Sequence, residues 1–67
     1  MTQEEINLIF GKAEAGDLEA MKQATFLCLQ IANLHMQEGN LDQANLCMSQ
    51  ADIYKRKAMA ADPTWIP

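Results

Sequence analysis

The chain is 67 residues long, enough for a single domain, and carries a formal net charge of −4. A polyanionic nucleic acid is therefore excluded as a partner, since such ligands are held largely by lysine and arginine, and the only basic cluster is Lys55-Arg56-Lys57. A chain this short hides only about 60% of its unfolded surface and needs disulfides, a metal or association to gain stability, and its composition, 49% hydrophobic with two cysteines, points to association.

Five methionines, many alanines, three glycines and two prolines are the vocabulary of helices. Thr2-Gln3-Glu4-Glu5 has the pattern of a capping box, in which a hydroxyl and a carboxylate satisfy the first amides of a helix. Ile6, Ile9, Phe10 and Ala13 follow at helical spacing, so a first helix is predicted over residues 3–14. Gly16 closes it in the left-handed conformation and Asp17 caps the next.

The second helix is predicted from Leu18 to Gln37. Met21, Cys28, Ile31, Ala32 and His35 lie near one face, with Ala20, Leu27 and Leu34 on a flank. A helix apolar around this much of its girth belongs at the centre. Glu38-Gly39-Asn40 repeats the punctuation, and Asn40 with Gln43 makes a second capping box. The third helix is predicted from Leu41 to Ala61, with Leu41, Ala44, Met48, Ala51 and Tyr54 facing inward, and Asp62-Pro63 stops it. Asp52 and Arg56 form a favourable pair one turn apart. The expected fold is all-α, a three-helix antiparallel bundle or helical hairpin with a short N-terminal helix, and oligomeric. Residues 1–62 form the domain, and the tail 63–67 docks on the bundle or on a partner.

Gly16-Asp17-Leu18-Glu19 recurs as Gly39-Asn40-Leu41-Asp42, 23 residues later. Such a recurrence can mark stacked helical units, or two helix–helix turns of equal length that need the same residue types. Ile31-Ala32, Gly39, Leu41, Ala44 and Ala51 also stand at the spacings where a tetratricopeptide repeat has Leu-Gly/Ala, Gly, Tyr, Ala and Ala. Residues 28–55 thus resemble one such repeat. Cys28, His35 and Arg56 depart from its tryptophan, tyrosine and proline. The resemblance implies a repeat-like hairpin, and a single unit forms no concave peptide groove.

No enzyme chemistry, metal or cofactor is expected. Cys28, His35 and Cys47 lack the close ligand pairs that zinc uses, and a cysteine with His35 lacks the third member of a nucleophilic triad. The thiols are read as buried and free. No run reaches the eighteen or so apolar residues of a membrane span, and the acidic start is unlike a secretory signal. A cytoplasmic protein with no membrane or nucleic-acid partner is the expectation.

Leu46 and Ile53 lie seven residues apart, off the inner stripe of the third helix, with Met59 or Ala60 continuing their line. Met36 also falls off the stripes, and Trp65 and Ile66 follow the helix stop. Exposed apolar patches mark interfaces, so Leu46, Ile53, Met59, Trp65, Ile66 and Met36 are the expected contact residues. The function expected is a self-associating protein-interaction module acting as adaptor or regulator. One alternative is a small chaperone or co-chaperone that masks an amphipathic helix of another protein, and short acidic hairpins of this kind resemble the co-chaperones of bacterial secretion needle subunits. Another is an oligomeric protein sequestering an anionic small molecule, with His35, Tyr54 and Arg56, aided by Lys12 and Lys22, as its polar contacts.

Overall fold

Two near-identical turns set the topology. In the first, Gly16 takes φ +94°, its amide donates to the Ala13 carbonyl at 3.0 Å, and Asp17 N–H reaches back to Lys12 O at 3.0 Å. In the second, Gly39 takes φ +77°, with Gly39 N–H to Met36 O at 3.1 Å and Asn40 N–H to His35 O at 2.8 Å. Both are Schellman closures, which satisfy the last carbonyls of a helix and reverse the chain through a left-handed residue. The recurring Gly-Asp/Asn-Leu motif is therefore two copies of one helix stop.

The computed structural model describes all residues, Met1–Pro67. The turns separate α1 (Gln3–Glu14), α2 (Leu18–Gln37) and α3 (Leu41–Ala61), an all-helical chain in the order expected. Thr2 Oγ1 accepts from Glu5 N–H at 3.2 Å, and Asp17 Oδ1 accepts from Ala20 N–H at 2.9 Å. Asn40 does not behave as its residue type suggests. Its side chain makes no cap bond, because its backbone sits at ψ 73° and not in the extended region a capping side chain needs.

The glycines differ in what they require. Gly11 lies within α1, and a methyl group added there meets nothing within 4 Å. Gly11→Ala is expected to raise stability by about 0.5–1 kcal/mol. Gly39→Ala is equally unobstructed but must hold a left-handed backbone, and it is expected to lose about 1–2 kcal/mol. Urea unfolding of the two variants checks both signs.

The inside of the molecule is made mainly of alanine. Ala24 and Ala58 are fully buried, and Ala13, Ala20, Ala32, Ala44 and Ala51 are nearly so. On α2 the small residues Ala24, Cys28 and Ala32 recur every fourth position, and on α3 Ala44, Ala51 and Ala58 recur every seventh. Each series stays on one side of its helix, so α2 and α3 approach along facing small-residue seams. The largest side chain wholly out of solvent is Thr25, whose hydroxyl donates to the Met21 carbonyl at 2.9 Å. That bond satisfies the hydroxyl of the one buried polar residue.

At 12 residues, α1 is about 18 Å long beside an α2 of 20 residues and about 30 Å. It covers one end of the hairpin. There Ala13, Ile9 and Phe10 pack with Ala20, Met21, Ala24 and Cys28 of α2 and with Ala51, Tyr54 and Ala58 of α3. Phe10 meets the Tyr54 ring at 6.1 Å, and the Tyr54 hydroxyl donates to Glu14. Ala32 and Ala44, nearer the Gly39 turn, are buried outside this cluster. The result is a slab measuring 34 × 24 × 15 Å. Its radius of gyration, 11.9 Å, exceeds the roughly 11 Å of a compact chain this long.

The inner stripe expected of α3 is corrected at two positions. Leu41 is 61% exposed and Met48 38% exposed. A seam narrow enough for alanine against alanine has no room for leucine or methionine, so both rotate onto the flank.

The tail after α3 returns to α2. Thr64 donates both its amide, at 3.2 Å, and its hydroxyl, at 2.6 Å, to Asp62 Oδ1. Trp65 N–H donates to the Asp62 carbonyl at 3.0 Å, closing a turn around Pro63. The indole then packs edge-on against Phe26, with ring centroids 6.1 Å apart.

Candidate functional site

With the interior built mainly of alanine around Met21 and Tyr54, many of the other bulky apolar side chains are exposed, and they form coherent surfaces. Leu29 and Met36 lie seven residues apart on α2, as do Leu41, Met48 and Lys55 on α3. Each series returns to the same side of its helix after two turns. Leu29 and Met48 line one depression of about 180 Å³ between the helices, floored by Thr25 and Ala51 and edged by Asp52 and Lys55. None of Leu29, Met36, Leu41 and Met48 belongs to the cluster that α1 covers. All four are at least 38% exposed, and together they make an apolar strip on the uncovered side of the hairpin. A second apolar line, Leu46 at 64% exposure and Ile53 at 45%, runs along a different side of α3.

Asp52 anchors the charges of the strip. It holds Arg56 at 2.9 Å and Lys55 at 3.6 Å. At the far end, Lys22 lies 3.0 Å from Asp62, 3.5 Å from Glu19 and 5.8 Å from the Trp65 ring centre. The hydroxyl of Thr64, and then the Lys22 ammonium, hold the Asp62 carboxyl below the usual carboxylate range. Asp62 in turn holds the Lys22 proton more tightly than usual. These bonds tie the end of α3 and the tail to the first turns of α2.

The expected contact residues divide. Leu46, Ile53, Met59 and Met36 are all exposed, the last two at 40% and 42%. Trp65 is half-buried against Phe26 of its own chain, whereas Ile66 projects into solvent at 86% exposure. Of the two tail residues, only the tryptophan docks on the bundle.

The residues expected to share an anionic ligand do not converge. His35 is half-buried near the Gly39 turn, with Nδ1 unpaired. Tyr54 is buried at the α1 end of the molecule and donates to Glu14. Arg56 lies two residues on, about 200° around the helix from Tyr54, and pairs with Asp52. None of the three lines the depression between Leu29 and Met48.

Cys28 and Cys47 are free, the first buried and the second half-buried. Burial, and then the neighbouring Cys47, push the Cys28 thiol up to about 11. The nucleophilic thiolate is correspondingly scarce at neutral pH.

Sequence reasoning missed Leu29 altogether and placed Leu41 and Met48 inside. The signal that could have found them is the Ala44-Ala51-Ala58 heptad. A helix presenting alanine every seventh residue has chosen its buried side, and the leucines and methionines beside that line are left over.

No family model matches the chain, and neither the curated proteins nor the solved structures include a match to it. No helix is long and apolar enough to cross a membrane.

Proposed function

We propose that this chain is a self-associating protein-interaction module that acts as an adaptor or regulator through the apolar sides of its helices. One observation carries the reading. The chain buries mostly alanines and leaves many of its large apolar side chains in water, Leu29, Leu34, Leu41, Leu46 and Ile53 among them, each at least 45% exposed. Burying a large aliphatic side chain is worth about 1.5–3 kcal/mol, and a stable domain ordinarily covers the apolar face of each helix with a second layer. The slab lacks that layer by itself, and another protein chain supplies it.

Sedimentation equilibrium of the purified chain over a micromolar concentration range tests the reading. The expected result is a concentration-dependent mass at least twice the 7.5 kDa of one chain. A well-folded monomer throughout would overturn self-association.

The depression between Leu29 and Met48 favours a second reading, a small chaperone whose hairpin receives an amphipathic helix of another protein. That reading requires the chain to remain monomeric alone and to gain stability only with its client.

A further inference from the structure

We infer that the surface used in self-association is the open side of the α2–α3 hairpin, the strip formed by Leu29, Met36, Leu41 and Met48, and that its occupant is the same strip of a second copy, packed about a two-fold axis. This rests on the self-association proposed above and names the face and the geometry.

Size supports it. Two adjacent helices of 20 and 21 residues present a side about 30 Å long and 20 Å wide, or roughly 600 Å². Counted on both copies, that area reaches the lower bound of about 1,200 Å² for stable interfaces. The pairing also places hairpin on hairpin. Four helices with apolar residues repeating every seventh position then share one interior, an arrangement in which such spacings interdigitate.

Charge selects the occupant. The whole chain is at −4, so most approaches of one copy to another meet repulsion. The depression is edged by one acid and one base, Asp52 and Lys55. A side carrying both signs is complementary to itself when turned through 180°, because Lys55 and Asp52, 3.6 Å apart within one chain, can exchange partners with the same pair of the second copy. A strongly acidic or strongly basic partner would find only half of that match. Shape agrees, since the apolar side chains and the depression between Leu29 and Met48 lie on the same side. A two-fold contact needs such self-complementarity, each copy offering both projection and recess.

Sedimentation equilibrium on the full chain tests this with three sets of variants, each checked for helicity by circular dichroism. Leu29→Glu and Met48→Glu each put a carboxylate into the buried contact and are expected to weaken the dimer by about a hundredfold or more. Leu46→Glu and Ile53→Glu, on the other line, should leave it unchanged. Asp52→Lys and Lys55→Asp change only the edge and so spare the fold. Each should weaken the dimer by about tenfold, and mixing the two proteins should restore association as a heterodimer. That restoration keeps the inference testable if the glutamate variants lose helicity.

A dimer that survives Leu29→Glu and Met48→Glu but dissociates with Leu46→Glu overturns this face and leaves the interaction module standing. So does failure of the mixed edge variants to recover. A wild-type chain that stays monomeric, or dimerises with nothing but a foreign helix, overturns the second copy as occupant and self-association with it.

Discussion

Replacing Ala24 with leucine is expected to destabilise the molecule more than truncating any of its exposed leucines. Ala24 is fully buried on α2, within the cluster that joins all three helices. Three added carbon atoms have no space there, so α1 and α3 must back away from α2 or the leucine must take a strained rotamer. Overpacking of this kind costs about 1–3 kcal/mol and occasionally more, against a total of about 3–10 kcal/mol for a domain of this size. Leu34→Ala, at a position 56% exposed, should change stability by less than about 0.5 kcal/mol. The usual order, in which removing bulk costs most, is thereby inverted. Urea midpoints measured below the association range decide it. If Ala24→Leu unfolds where the parent does, the alanine seam is not close-packed.

High pH is expected to unfold the chain through two groups in the same interior. Burial, and then its bond to Glu14, push the Tyr54 hydroxyl up to about 12 from an ordinary value of 10.0. The Cys28 thiol is pushed to about 11 from 9.0. In both, the folded state holds the neutral, protonated form. Their contribution is intact below the unfolded values and is lost as pH climbs, from about 9 toward 11 for the thiol and from about 10 toward 12 for the phenol. Holding the protonated form this much more tightly corresponds to on the order of 2–3 kcal/mol for each buried group. Stability should therefore hold steady near neutrality and fall steeply between pH 9 and 12. Chemical unfolding at stepped pH, with phenolate absorbance followed in parallel, measures this. Tyr54→Phe should flatten the upper part of the fall and keep the lower part. An unchanged profile in that variant would remove tyrosine from the account.

The helix borders were legible because each is written by several residues at once. At residues 15–17 and 38–40, glycine supplies the positive φ, the preceding helix supplies the carbonyls, and Asp17 supplies the next cap. Asn40 was misread because residue type alone does not report ψ. The apolar surfaces were legible only in part. Leu46 and Ile53 stood out because no inner stripe could include them, and both are exposed. Leu41 and Met48 were misplaced because reading periodicity by hydrophobicity assigns large residues to the interior and treats alanine as filler. Here size decided the matter: small residues let the helices approach, and the close approach expelled the large ones. For the tail the sequence left two courses open, onto the bundle or onto a partner, since the choice depends on Lys22, 40 residues from Asp62 in the chain.

The brevity of the two turns has a kinetic consequence. Every helix packs against its neighbour in sequence across a three-residue connection, so little chain entropy is spent on closing loops before contacts form. Topologies of this kind cross their folding barrier in microseconds to milliseconds. Encounter between separate molecules slows as the protein is diluted, whereas this internal step does not. In a cell that makes few copies, each newly synthesised chain would finish arranging itself long before it met another, and, if it associates as proposed, the waiting time for that meeting would set when the paired form appears.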